Sequence, residues 1–334
     1  MPSKTNITER WLICRPRGGL NDVLCQIENC WQYAERFDRT LVVDTARSNL
    51  AAAFSEFFEP LDQTKAVVFS ADEDLIEKMN EAGCFPASAQ GRLWDYRDAR
   101  NSKYHDVEES SVTGLSFDFE KDYAESVLLH YKSGGGIRSF ELLNRVRFTP
   151  KLAEIVSERT RHLTFDYAAI HVRNTDLRTD YHRFFRRISN RVRDRPLLVC
   201  SDDPGVLSDA KSLFKTCNVF TVSTLPQTNG LPVHDPAAFD SADEMTKSTI
   251  GAFVDLIALG KATRYYYTCS DHLYPSGFSR LAGYLCDNKS IIDTLLTGAI
   301  GNHFARTGGA AVFVPPISLR VRKAIPRFVR NLFP

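Results

Sequence analysis

Residues 10–44, RWLICRPRGGLNDVLCQIENCWQYAERFDRTLVVD, change apolar period twice within one short stretch. RWLICRP is a compact apolar run that reads as a buried strand. RGGLND follows as a turn. In VLCQIENCWQYAERF, residues Val23, Ile27, Cys30, Trp31 and Ala34 recur at three- and four-residue steps and make one apolar helical face. RTLVVD then reads as a second strand, and Asn21 or Asp22 is placed to cap the helix. Strand, glycine turn, helix, strand is the opening of a doubly wound α/β domain, which confines the chain to a small set of topologies. RGGLND lacks G-x-G-x-x-G and so carries no nicotinamide-cofactor fingerprint.

The alternation resumes after residue 151. A strand is predicted over 165–172, then a helix near 182–193 and a strand, PLLVC, at 196–200. A helix at 204–215, a strand NVFTV, a long helix at about 242–261, a strand TRYYYT and a helix opened by SGFSRLAGYL complete the series. Repeated β-α units imply a parallel sheet. Between the two halves, 45–150 yields one strand (Ala66–Ser70), an acidic helix after it and a polar stretch, 87–113, without an assignable element. The expected architecture is two Rossmann-like α/β domains that meet near 145–155 and face each other across a cleft.

Composition narrows the function classes. The 334 residues are 43% hydrophobic and 25% charged, with a net charge of +1, which gives no global bias toward nucleic acid. That total conceals an asymmetry. No acidic residue follows Asp293, whereas six basic ones do; removing them from 42 leaves 36 against 41 acidic residues, a body near −5. The opening MPSKTNITERW has no apolar signal core, and no run approaches the roughly 18 apolar residues of a membrane span. The eight cysteines occur singly and the eight histidines are scattered, so neither a disulfide scaffold nor a metal site is expected. The expectation is a reduced cytoplasmic protein without a cofactor or metal.

In an open parallel sheet, ligands bind beyond the carboxyl ends of the strands. Three polar clusters stand at such ends: His171–Asp180, Ser201-Asp202-Asp203 and Ser270–Ser279. Arg173, directly after a buried strand, needs an anionic partner. Its planar fork suits a phosphate, and a bridge to Asp176 or Asp202 meets the same need. Ser201-Asp202-Asp203 suits ribose hydroxyls or caps the next helix before Pro204. Ser276, Gly277 and Ser279 stand at a helix N-terminus, where backbone N–H groups and the dipole favour an anion.

The ordered set resembles the fucosyltransferase superfamily, which includes bacterial nodulation, core α1,6-, α1,2- and protein O-fucosyltransferases. RPRGGLNDVLCQIENCWQYAERFDRTLVVDT is similar to its N-terminal glycine-rich loop and helix, with Gly18, Gly19 and Asn21 as loop residues. AAIHVRNTD resembles its H-x-R-R-x-D strand end, and PLLVCSDDP its acidic strand end. VDLIALGKATRYYYTCSDHLYPSGFSRLA resembles its final Asp-helix-strand-Ser segment. The resemblance implies a GT-B fold, an acceptor-side domain at 1–150, a GDP-sugar domain at 151–300 and a tail at 301–334. It places Arg173 on the β-phosphate, His171 and Asp255 near guanine and ribose, and Asp176 and Asp202 in the donor site. Ser276, Gly277, Phe278 and Ser279 complete the diphosphate site. Two positions depart: Asn174 replaces the second Arg, and Tyr181 stands where the core α1,6 group has Glu.

The resulting expectation is an inverting, metal-independent glycosyltransferase. It would move fucose, or a related sugar, from its GDP donor to a glycan acceptor, with Asp180 as first general-base candidate and Asp22 as second. A non-catalytic sugar-nucleotide or glycan-binding protein is the alternative on the same fold; an α/β phosphatase or reductase is the alternative outside it. The tail ISLRVRKAIPRFVRNLFP is amphipathic and basic. It is expected either to pack on the N-terminal domain or to touch an anionic membrane at the cytoplasmic face.

Overall fold

Each apolar run of residues 10–44 becomes a buried strand, and the amphipathic stretch between them a helix laid on one face. A computed structural model describes residues 9–45, 50, 52–62, 66–93, 115–225, 228, 231, 233, 235–270, 274–298 and 310–311. The tail, apart from 310–311, and positions 94–113 of the unassigned polar stretch lie outside the described residues.

Strand β1 (Trp11–Arg17) leads through the glycine turn into α1 (Leu20–Arg36) and β2 (Thr40–Val43), which lies parallel to β1. The helix starts three residues before the predicted Val23, and its N-cap is Gly19, with no side-chain bond. Neither Asn21 nor Asp22 caps it. Both lie inside the first turn, where Asn21 instead accepts a hydrogen bond from Ser139 Oγ at 2.8 Å.

Next come β3 (Phe58–Pro60), β4 (Val67–Val68), the acidic α2 (Glu73–Asn80), β5 (Cys84–Phe85), β6 (Val127–Ser133), α3 (Arg138–Leu143) and β7 (Val146–Phe148). The sheet order is β4-β2-β1-β6-β5, all parallel, with β3 and β7 paired antiparallel beside it. Strand β6 was not anticipated from the sequence. It pairs with β1 over seven positions, from Trp11↔Val127 to Arg17↔Ser133, and is buried along most of its length.

The second unit follows the predicted alternation closely. Helix α4 (Pro150–Thr160) enters it; then come β8 (Ala168–Val172), α5 (Tyr181–Val192), β9 (Pro196–Ser201), α6 (Pro204–Leu213) and β10 (Asn218–Phe220). Helix α7 (Ala242–Lys261), β11 (Arg264–Tyr267), α8 (Gly277–Asp287), α9 (Lys289–Thr297) and β12 (Ala310–Ala311) complete it. All pairings in the order β10-β9-β8-β11-β12 are parallel. The molecule is therefore α/β, with two Rossmann-like units across a cleft.

The units share apolar packing. Phe253 of α7 meets the rings of Phe57, Phe58 and Phe148 at 5.3–5.5 Å, and Phe140 of α3 stacks on Tyr284 of α8 at 4.3 Å. Among the described residues, no helix is long and apolar enough to cross a membrane.

Candidate donor and acceptor site

One cavity lies between the carboxyl ends of the two sheets and encloses about 380 Å³, within the 300–1,000 Å³ typical of ligand sites. Its N-terminal wall carries Gly18, Gly19, Leu20, Asn21, Asp22 and Leu50. The opposite wall carries His171, Arg173, Asp176, Asp202, Asp255, Ser276, Gly277 and Phe278 among others. Residues separated by more than 250 positions are thus brought to one space.

Strand β8 is buried at every position, and Arg173 emerges at its end. The guanidinium is held by two carboxylates: Nη2 lies 2.7 Å from Asp176 Oδ1 and Nε 3.0 Å from Asp202 Oδ2. The bridge considered from sequence is therefore formed, to both partners at once. Asp202 is 5% exposed and also accepts bonds from Asn174 N and Thr175 Oγ1, both at 2.7 Å. It is an orienting group that aims Arg173 at the cavity. Asp176 is 44% exposed at its side chain, so an incoming anion can replace it at little cost. Asn174, where the resembling motif has its second Arg, binds Asp203 at 2.7 Å, and Asp203 caps α6 through Gly205 N.

His171 is 6% exposed, and burial, with the nearby Arg173 charge, lowers its pKa to about 3. The ring is neutral at physiological pH. Its Nδ1 lies 2.7 Å from Ser279 Oγ, which lies 2.9 Å from Ser276 Oγ. Ser279 is fully buried and does not reach the cavity wall. Its side chain instead contacts His171, because α8 turns position 279 inward. Ser276 caps α8 through Ser279 N, which leaves the first turn of that helix open toward the cavity.

Asp255 of α7 reaches the cavity with Ser223 and Cys200 beside it. Burial raises its pKa from 3.8 to about 6, and hydrogen bonds from Ser223 and Cys200 oppose the rise.

The two base candidates separate cleanly. Asp180 is exposed, lies off the cavity wall and accepts from Arg183 N as the N-cap of α5. Asp22 lines the cavity from the other sheet. Two glycine-bearing loops clamp its carboxylate. A Cβ on Gly18, whose φ is +101°, would stand 2.6 Å from Oδ2, and a Cβ on Gly135 would collide with Oδ1. Only glycine permits that approach. The loop 134–136 is anchored from beneath by Gln26, whose Nε2 donates to Gly134 O and whose Oε1 lies 2.7 Å from His130 Nε2. Gly277 of α8 presses on Asn21, so helices from the two units nearly touch beside Asp22. Sequence reading missed the loop at 134–136, Gln26, His130 and Ser223. The triplet Gly134-Gly135-Gly136 after an apolar run was the available signal.

No protein-family model matches the chain, and no curated protein matches it in sequence. Solved structures do match. A NodZ α1,6-fucosyltransferase soaked with GDP-fucose aligns over 83% of this chain and 92% of its own, at TM-score 0.54 and 18% identity. Fucosyltransferase NodZ from Bradyrhizobium aligns over 82% and 92%, at TM-score 0.53 and 18% identity. In fold, the chain is similar to a fucosyltransferase. POFUT1 in complex with GDP-fucose aligns over 92% and 98%, at TM-score 0.51 and 12% identity. The GT-B architecture expected from the sequence is thus the architecture found.

Proposed function

We propose that this chain is an inverting glycosyltransferase that transfers fucose from GDP-fucose to a glycan acceptor without a metal ion. The observation that carries the reading is one cavity with an arginine and an open helix N-terminus on one wall and a clamped carboxylate on the other. The solved neighbours that hold GDP-fucose or GDP support the choice of donor.

The chemistry follows from charge. As the bond from sugar C1 to the diphosphate oxygen breaks, negative charge grows on GDP. Arg173 meets it by exchanging Asp176 for the phosphate, and the first turn of α8 adds its N–H groups and dipole. Asp202 stays as the buried partner that keeps the guanidinium planar to the cavity. Asp255 and Ser223 offer acceptors and a donor to the guanine edge. Asp22, on the acceptor wall, takes the proton from the attacking hydroxyl. One carboxylate facing one departing diphosphate fits a single displacement, which inverts C1. Asp180 is assigned to the fold of α5 instead of to the chemistry.

The test is turnover. Purified protein with GDP-fucose and a panel of oligosaccharides should release GDP only when an acceptor is present, form an α-configured product from the β-linked donor at C1, and keep its rate in EDTA. Tight GDP binding without product on any acceptor would instead favour a sugar-nucleotide-binding protein. Loss of activity in EDTA that Mn²⁺ or Mg²⁺ restores would overturn the metal-independent mechanism.

A further inference from the structure

The wall behind Asp22 contains a cation that the transfer mechanism above does not use. Arg280, one turn into α8, sends its side chain across the seam toward the N-terminal unit. Its Nη2 lies 3.6 Å from the point a Cβ on Gly135 would occupy, and Asp22 Oδ1 lies closer still to that same point. Carboxylate and guanidinium therefore stand within about 6 Å of one another, a range over which an opposite charge favours the ionised carboxyl. Glycine at 135 leaves the space between them clear. The Nε of Arg280 is buried and has no hydrogen-bond partner among the described residues, so this guanidinium is not spent on a structural bond there. An N–H buried without a partner is costly, and a nearby anion lowers that cost for a half-buried guanidinium.

We infer that Arg280 is a positioning residue that holds Asp22 ionised and aimed into the cavity, and that it ties the acceptor-side carboxylate to the donor-side helix. The inference rests on the assignment of Asp22 as the base. The helix that supplies Arg280 is the one whose first turn faces the diphosphate, and Gly277 on that turn packs directly on Asn21, next to Asp22. Helix α8 therefore meets both the backbone and the charge around Asp22. Other described groups also lie near Asp22. Cys25 lies on its own helix; burial raises its thiol pKa most, hydrogen bonding to Ser139 lowers it, and Asp22 raises and Arg280 lowers it by less. Across the cavity stand Arg173, neutral His171 and Asp176. The 134–136 loop brings no charge. The position of Arg280 against Gly135 places this cation beside Asp22, and its charge also reaches Cys25.

Two readouts separate this inference from the base assignment. The first is the carboxyl titration of Asp22 by ¹³C NMR in aspartate-labelled protein, its resonance identified by loss in Asp22→Asn. Arg280→Gln should raise the midpoint by about one pH unit, Arg280→Lys should keep it near wild type, and Arg280→Met serves if the Gln variant does not fold. The second is the pH–rate profile of transfer, whose acidic limb should move upward by the same amount in Arg280→Gln while the KM for the donor changes less than twofold. An Asp22 midpoint unmoved in both neutral variants would overturn the inference and leave the base assignment standing. A midpoint that moves while Asp22→Asn still transfers sugar would sink the base assignment instead and leave the electrostatic coupling intact.

Discussion

Arg173 and Asp255 are both polar groups that burial makes expensive, and they differ in what compensates them. Arg173 has two carboxylates in place, one exposed and one buried, so its charge is met before any ligand arrives. Arg173→Lys replaces a planar fork by a point charge. The expected result is a loss of about 1.5–3 kcal/mol in GDP binding, roughly 10- to 150-fold by calorimetry, with transfer nearly abolished. Asp255 is less well compensated. Its pKa rises from 3.8 to about 6. A carboxyl raised on folding stabilises the folded state fully below its unfolded value, and that contribution is lost as pH rises through about 6. At pH 8 the ionised group therefore costs the ligand-free protein at most about 3 kcal/mol. Asp255→Asn should raise the melting temperature at pH 8 more than at pH 4, and should weaken GDP relative to UDP. Equal melting shifts at both pH values would remove Asp255 as a strained group.

At the scale of the element, helix ends decide which carboxylates are free for chemistry. Asp180, Asp203, Ser241 and Ser276 each accept a backbone N–H at the start of a helix. A carboxylate committed in that way loses little when replaced by Asn, itself a good cap. Asp180→Asn should therefore keep both its stability, within about 0.5 kcal/mol, and its turnover. Asp22→Asn should fold, bind GDP normally and lose turnover by about 10²-fold or more, the scale of a missing general base. Retained turnover in Asp22→Asn, measured as acceptor-dependent GDP release, would return the search for the base to the donor wall. Helix α7 shows the complementary case of an element defined by packing. Phe253 fills the space between the two units, and Phe253→Ala should cost about 3–5 kcal/mol in denaturant unfolding.

At the scale of the whole molecule, two parallel sheets present their carboxyl edges to one space, and the basic tail remains a separate question. Its apolar positions Val321, Ile325, Phe328, Val329 and Leu332 fall opposite Arg320, Lys323, Arg327 and Arg330 on a helical wheel. Packing of this stretch on the N-terminal domain is the expectation, and contact with an anionic membrane, where each basic residue would contribute about 1 kcal/mol near the surface, is the alternative. Sedimentation with anionic vesicles decides: binding that falls with salt and vanishes on removal of 315–334 would support membrane contact. No binding, together with a truncated protein that unfolds, would make the tail part of the fold.

Local sequence determined the elements whose signal is carried by their own residues. β1, α1 and β2, the run from β8 to α8, the capping by Asp203 and Ser276, and the emergence of Arg173 at a strand end all follow from period, turn chemistry and charge. Strand β6 was not legible. Its apolar run is short and gives way to His130, Lys132 and Ser133, and its partner β1 lies more than a hundred residues away. The tertiary structure alone decided which carboxylate lines the cavity. Asp180 sits nine residues after His171 and yet is turned to solvent as a cap, whereas Asp22, remote in sequence, is clamped over the cavity between Gly18 and Gly135. The reason is physical. Neighbours along the chain share an element and its periodicity, but a reacting space lies between elements, and strand order and close backbone approach select the side chains that enter it.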